Sequence, residues 1–370
     1  MPPDFTRDVR CVLGLTFDCV SESGAEQVLR RAIAARRRCF VSTPNLNFVV
    51  ASLADPEFRD SVLQSDLSLA DGWPIVAISR LTCADLPERV AGSSLFARLT
   101  RSAERPAIAV YFFGGPDGAA RQACERLNIA AQGVAGVGFN FPGFGSAEEM
   151  SGAERLQRIN AARPDFLVVA LPAKKGQVWI RRNLEAIEAP VISNLGAVVN
   201  FAAGTVSRAP PWVQACRLEW LWRIKEEPSL WRRYLRDGRV FLGLVLTRAL
   251  PAVFARRVSA REPRPPTPVS AVASEAAGRT VIRLAGAWSR ANDAPLRALF
   301  ARHAAARGSV SLDLAAVESL DSASIGLLAL LYGWQVKIGA GWEIRSASAQ
   351  VRRGFHAACA DGLLDPRGTS

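Results

Sequence analysis

Imidazole is scarce in this chain, whose two histidines, His303 and His356, both lie in the last fifth. Chemistry in the first 260 residues therefore runs without it, which removes histidine-dependent serine and cysteine triads and most zinc chemistry from that region. The remaining candidates are carboxylates, hydroxyls, amides and guanidiniums set in loops. Asp71, followed by Gly72, is a carboxylate able to take a proton, and Asp-Gly is also a common turn that holds backbone N–H groups. Thr43 and Asn45, bracketing Pro44, offer a hydroxyl and an amide to ligand hydroxyls, or simply make a turn. Arg89 suits a phosphate and suits a solvated surface equally well. Gly114, Gly115 and Gly118 let backbone come close to a ligand, and a following helix would point its N-terminus at a diphosphate; the triplet alone is weakly diagnostic.

These groups need a scaffold. From Arg10 to about Asn200, apolar runs (CVLGLTF, CFVSTPN, AIAVYFFGG, GVAGVGF, DFLVVAL, PVISNLG) alternate with helical periodicity (EQVLRRAIAARRR, AEEMSGAERLQRINAA, GQVWIRRNLEAI). Alternation of this kind predicts an α/β fold, a Rossmann-like, mainly parallel sheet whose ligand loops sit at the strands' carboxyl ends. Those loops are Thr43–Asn47, Gly114–Gly118 and Leu171–Gln177.

Beyond them, Gly196–Tyr234 joins a glycine-punctuated loop to a segment in which Trp212, Trp220, Trp222 and Trp231 interleave with Arg217, Arg223, Arg232 and Arg233. Indoles prefer the membrane–water boundary and arginines pair with lipid phosphates, so the segment predicts work against a membrane surface. A helical hairpin with tryptophan inside and arginine in water has the same composition. Nucleic acid is not expected, because no nucleic-acid module accompanies the pattern. The longest apolar stretch, Val240–Phe254, is broken by Arg248 and Pro251 and falls short of a spanning helix.

A net charge of +12 calls for an anionic partner without naming it. Seven scattered cysteines with no Cys-x-x-Cys pair predict reduced thiols in the cytoplasm, and the N-terminus lacks the features of a secretory signal. A proline-rich stretch reads as a linker at 258–271, dividing residues 1–257, with a basic appendage over about 205–257, from a small α/β domain at 272–370.

The first region resembles the WecG/TagA/CpsF glycosyltransferases (glycosyltransferase family 26). The resemblance rests on Thr43-x-Asn45, Ala70–Gly72, Glu88-Arg89-Val90-x-Gly92, Gly114-Gly115-x-x-Gly118 and Pro164-Asp165. It continues in Ala203-Gly204, Arg208-Ala209-Pro210, Leu218-Glu219-Trp220-Leu221-x-Arg223, Glu227-Pro228 and Arg233-Tyr234. It implies an inverting transferase needing no metal or other cofactor. The donor would be a UDP-sugar of the N-acetylmannosamine or uronic-acid type, and the acceptor an undecaprenyl-diphosphate-linked sugar. Asp71 would then be the base, assisted by Thr43. Asn45, Arg89, Gly92, Gly114, Gly115, Gly118, Lys175, Gln177, Asn200 and Arg208 would hold the sugar nucleotide. Trp220, Arg223, Arg232, Arg233 and Arg236 would meet the lipid diphosphate and an anionic membrane at its inner face. Homo-oligomers are common among such proteins. The chain departs from the pattern at Gly176, Gln177 and Asn200, where the family carries glutamine, glutamate and aspartate. That leaves a non-catalytic sugar-nucleotide-binding or regulatory partner as the alternative.

The tail resembles a STAS domain, the sulfate-transporter and anti-sigma-antagonist fold, through SVSLDLAAVESLDSASIGLLALL. The serine phosphorylated in anti-sigma antagonists is Ala323 here, flanked by Ser322 and Ser324, which serve equally as helix caps or regulatory sites. A protein partner or a sensed ligand is the implied role.

Overall fold

The computed structural model describes residues 2–259, 268–276 and 278–365. CVLGLTF is a hairpin, where one strand was expected. β1 (Val9–Val12) and β2 (Leu15–Asp18) pair antiparallel, because Leu13 (φ 51°) and Gly14 (φ 82°) turn the chain between them.

β3 (Cys39–Ser42), β4 (Leu67–Ser68), β5 (Ile108–Gly114), β6 (Val134–Asn140), β7 (Phe166–Ala170) and β8 (Val191–Asn194) form one sheet in the order β4-β3-β8-β7-β5-β6. Every neighbouring pair is parallel, as the alternation predicted. Two-residue β4 is too short to show as a pattern. Alternate side chains feed opposite faces: Phe112 joins the core with Leu29, Leu99 and Val168, whereas Phe113 joins Phe40, Trp179 and Ile180. Trp179 stacks on Phe113 with centroids 4.1 Å apart and donates from Nε1 to the Met150 carbonyl at 3.1 Å, so its one polar atom is satisfied.

β9 (Ser270–Ala276), β10 (Arg279–Trp288), β11 (Val310–Leu320) and β12 (Trp342–Ala347) make a second, smaller sheet, with β10, β11 and β12 parallel and β9 antiparallel to β10. β9 begins two residues inside the stretch read as linker and runs on into the second domain; the linker's residues 260–267 are outside the described ones. Helix Ser322–Ile338 is apolar on all sides and buried from Ala323 to Gln335. One side covers its own sheet and the other the β1–β2 hairpin and helix Pro56–Leu63. Gly326 and Gly333, seven residues apart and hence on one face, permit the contact. A Cβ at Gly333 would meet the Leu63 carbonyl oxygen at 2.6 Å, and one at Gly326 would meet Val9 Cγ2 at 3.2 Å. Val9, Phe58 and Leu63 therefore share one core with Leu312, Leu327 and Leu331.

The appendage is helical: Pro211–Ala215, Glu219–Glu226, Trp231–Leu244, a π-helical turn Val245–Ala249, and Leu250–Ser259. The helical run Pro228–Ala255 extends back through Arg239. At 28 residues it is, by length and composition alone, long and apolar enough to cross a membrane. That differs from the shorter Val240–Phe254 stretch. Its most apolar window is 6% buried, and Trp231, Leu235, Leu242, Leu246 and Phe254 are exposed. It is anchored to the body by Asn47 Nδ2 donating to Asp237 (3.0 Å) and by Arg248 pairing with Asp361.

Candidate active site

The carboxyl ends of β3 and β4 bring Thr43 and Asp71 together. The loop after β3 closes onto the loop after β4 through Asp71 N–H donating to the Pro44 carbonyl at 3.0 Å. Gly92 begins helix Gly92–Arg101 with its N–H favouring the charged form of the Asp71 carboxylate, and packs so closely that a Cβ would lie 2.4 Å from Leu195 and 3.2 Å from the Thr43 methyl. Thr43 is buried behind this contact. Asn45 caps helix Leu46–Ala54, accepting from the Phe48 N–H at 3.2 Å, so its carbonyl oxygen is already engaged.

Arg89 crosses the mouth of this site. Its Nε lies 3.7 Å from Asp71 Oδ1, while its Nη atoms grip both carboxylate oxygens of Glu219, Nη2 to Oε2 at 2.9 Å. The Asp71 side chain is only a quarter exposed. Burial raises its pKa above the ordinary carboxylate value, against the opposing pull of Arg89 and Arg223. A carboxylate held this way is a stronger base than a solvated one and remains open on one side.

The glycine loop lies farther along the sheet. Gly114 (φ 95°) and Gly115 (φ 86°) turn beneath Ala170 and Val199, and Gly118 (φ 76°) opens helix Ala119–Ala130 with nothing within 4 Å of where its Cβ would be. An open cavity of about 410 Å³ sits above, lined by Pro116, Asp117, Gly118, Gln122, Asn200 and Thr205. This falls in the size range of small-molecule sites. Asn200 contributes a buried Oδ1 without a hydrogen-bond partner.

Leu171–Gln177 is largely not a loop: Ala173 begins helix Ala173–Asn183 because Pro172 precedes it in extended geometry. Gly176 packs on the Asn194 amide, 2.3 Å from where a Cβ would sit, and Gln177 is fully buried with Nε2 donating to Ser42 Oγ at 2.9 Å. Gln177 therefore stands in the core under Thr43, away from the cavity. Lys175 Nζ donates to the Gly145 carbonyl at 2.6 Å.

A cationic group joins the appendage to the body. Arg208 donates to Ser94 Oγ at 3.0 Å and lies over the Phe201 ring, which Arg223 also faces. Burial chiefly lowers the Arg208 pKa, with Arg101 and Arg89 adding to it and Glu219 and Glu22 opposing it. Arg217 stacks on Trp73 at 3.3 Å. Trp220 faces Tyr234 at 6.2 Å, Arg232 and Arg233 lie over Trp231 and Tyr234, and Arg236 pairs with Asp237 at 3.0 Å. Sequence reasoning missed the roles of Glu219, Trp73 and Asp237. Glu219 stands inside the Leu-Glu-Trp-Leu-x-Arg motif, but nothing local shows that its partner is Arg89, 130 positions away. Among the described residues no group of three or more His, Cys, Asp or Glu is placed to hold a metal ion.

The two regulatory candidates sit at the start of helix Ser322–Ile338. Asp321 caps it, accepting from the Ser324 N–H at 2.8 Å; Ser324 is fully buried and Ser322 half-buried. In this arrangement Ser324 is out of reach of a modifying enzyme.

Comparison with known proteins agrees with the geometry. Residues 272–365 match the family described as Mlab, STAS domain. The chain is 26% identical over 196 residues to the N-acetylglucosaminyldiphosphoundecaprenol N-acetyl-beta-D-mannosaminyltransferase of Bacillus spizizenii (strain ATCC 23059 / NRRL B-14472 / W23), covering 53% of this chain and 74% of that one. It is 26% identical over 195 residues, with the same coverage, to the protein of that name from Bacillus subtilis (strain 168). With residues 10–253 matching its family model over most of the chain, the protein belongs to the glycosyl transferase WecG/TagA/CpsF family.

Proposed function

We propose that this glycosyltransferase moves an N-acetylmannosamine- or uronic-acid-type sugar from a UDP-sugar to a sugar carried on undecaprenyl diphosphate, with inversion and without a metal. The names of its relatives specify such an acceptor and an N-acetylmannosaminyl group. The observation that carries the reading is a raised-pKa carboxylate, Asp71, a cation group and a glycine-lined cavity, all at the carboxyl ends of the parallel strands. In the step, the acceptor hydroxyl oxygen attacks the anomeric carbon and its proton passes to Asp71. The bond from that carbon to the nucleoside diphosphate breaks, and the electron pair leaves on the diphosphate. The N-terminus of helix Ala119–Ala130, Arg208 and Arg223 are the groups suited to that charge. The exposed Trp/Arg run would rest on the inner face of the membrane, presenting the lipid diphosphate to the same cations. Exopolysaccharide or cell-surface glycan synthesis is the setting this fits, with residues 1–257 as the transferase and 272–370 as the STAS-like part.

The altered Gly176 and Gln177 are accommodated in the core and leave the Asp71 mouth untouched, which favours a working enzyme over a non-catalytic one. The test is UDP release from a panel of UDP-sugars with a short-chain polyprenyl-diphosphate-sugar acceptor and EDTA present. Metal-independent release that disappears in Asp71→Asn supports the reading. Absence of turnover from folded protein across the panel rejects it.

A further inference from the structure

A run of hydrogen bonds, part-buried at Arg297 and Arg7 and buried beyond them, joins the second sheet's helices to the strand ends that carry Asp71 and Thr43. Arg297, on helix Ala294–Ala306 and held by Asp293 at 2.8 Å, donates Nη1 to two carbonyls of the N-terminal segment, Phe5 at 2.6 Å and Arg7 at 2.8 Å. Arg7 donates from Nε and Nη2 to both oxygens of Asp18 (2.9 and 2.6 Å) and from Nη1 to the Ser65 carbonyl (3.0 Å). Both side chains are buried, Arg7 9% and Asp18 4% exposed, so losing either partner strands a charge.

From Arg7 the bonds branch. Asp18 Oδ2 accepts the Ser68 N–H at 2.7 Å, on β4, three residues before Asp71. Ser65 shares its hydroxyl with Ser42 at 2.6 Å, and Ser42, which also accepts from Gln177, ends β3 immediately before Thr43. The same boundary is closed by apolar contact along Gly326 and Gly333.

We propose that the C-terminal region is a positioning element for its own chain's transfer site, with Arg297, Arg7 and Asp18 as the positioning residues. Its docking fixes the Phe5–Arg7 backbone, which fixes Arg7, which fixes the ends of β3 and β4. The region's main apolar helix is thus spent on a partner inside the chain. The proposal rests on reading Asp71 as the base. Its physical force comes from the steep dependence of transfer on geometry, where about 1 Å of misplacement costs up to about a hundredfold.

The experiment compares full-length wild type with Arg297→Ala and Arg297→Lys. Arg290→Ala serves as control: Arg290 crosses the same boundary to Asp8 at 2.8 Å but stands outside these bonds. Two readouts are taken, amide hydrogen exchange at residues 68–71 and the split between kcat and KM. Arg297→Ala should speed exchange at residues 68–71 about tenfold and lower kcat about tenfold, with KM for both substrates within about twofold. Arg297→Lys should recover most of both effects, and it gives a second measurement if the alanine variant does not fold. Arg290→Ala should change neither. Wild-type exchange and kcat in Arg297→Ala overturn the proposal, as does exchange that rises equally over the whole chain in every variant. If wild type shows no turnover, the transferase reading fails while the exchange comparison still decides the positioning one.

Discussion

Replacing Arg232, Arg233 and Arg239 together by alanine should release the protein from anionic vesicles. Arg236 is held by Asp237, and Arg217 and Arg223 face Trp73 and Phe201 outside the appendage, whereas Arg232 and Arg233 lie over Trp231 and Tyr234 of their own helix. Among the described residues, Arg232, Arg233 and Arg239 have no carboxylate within ion-pair distance, and they flank the exposed stripe of Trp231, Leu235 and Leu242. A basic side chain near an anionic surface contributes about 1 kcal/mol, so the triple replacement removes about 3 kcal/mol, roughly 150-fold in partition. The assay is co-sedimentation with phosphatidylcholine vesicles with and without phosphatidylglycerol. The apolar stripe is intact in the variant, so its weaker binding to pure phosphatidylcholine should be unchanged. At about 1 M salt the screening length falls to about 3 Å, and the two proteins should then bind alike. A variant that stays within about threefold of wild type on anionic vesicles at low salt refutes the surface-lying geometry, as does a loss that persists at high salt.

Asp71→Asn should lower kcat by about 10²- to 10⁴-fold, measured as UDP release. Because burial raises the Asp71 pKa, activity should fall with acidification at a higher pH than a solvated carboxylate would give, read from a pH–rate profile. The same raised pKa means that the charged form opposes folding at neutral pH, so Asp71→Asn should melt no lower than wild type. Gly118→Ala places a side chain at φ 76°; with open space around it, the cost should be the backbone strain alone, about 1 to 2 kcal/mol by denaturant unfolding. His303 is buried with its pKa lowered, chiefly by that burial, so the unfolded state binds its proton more readily. Stability should decline as pH falls below about 6.5, and His303→Leu should flatten that part of the melting-temperature profile.

The parallel sheet was legible because β5 and β7 are buried on both faces and read as unbroken apolar runs with helical periods around them. The hairpin was not, since Leu13 adopts positive φ without being glycine, and only Gly14 marks the turn. Asp71, Thr43 and Gly118 could be picked out from local residue types and the family pattern. Gln177 could not be placed, because its position under Thr43 depends on Ser42, 135 residues earlier. Glu219 and Asp237 escaped for the same reason. A carboxylate on a basic helix looks like a solvated charge until its long-range partner is known. The most consequential omission was the boundary between the sheets. Helix Ser322–Ile338 reads as a core helix, and nothing in its sequence says that half its core belongs to residues near the N-terminus.

The shared core also imposes an order on synthesis. Val9, Phe58 and Leu63 leave the ribosome long before Leu327 and Leu331, the residues that cover them. At about 5 to 20 residues per second, that apolar face stays uncovered for tens of seconds. A nascent chain stalled or cleaved within the proline-rich stretch would present a finished parallel sheet with a sticky flank, a natural target for holdase chaperones and for proteolytic clearance. Fusions or truncations at the C-terminus should therefore affect yield of the whole protein, even though the glycosyltransferase family match lies in residues 10–253.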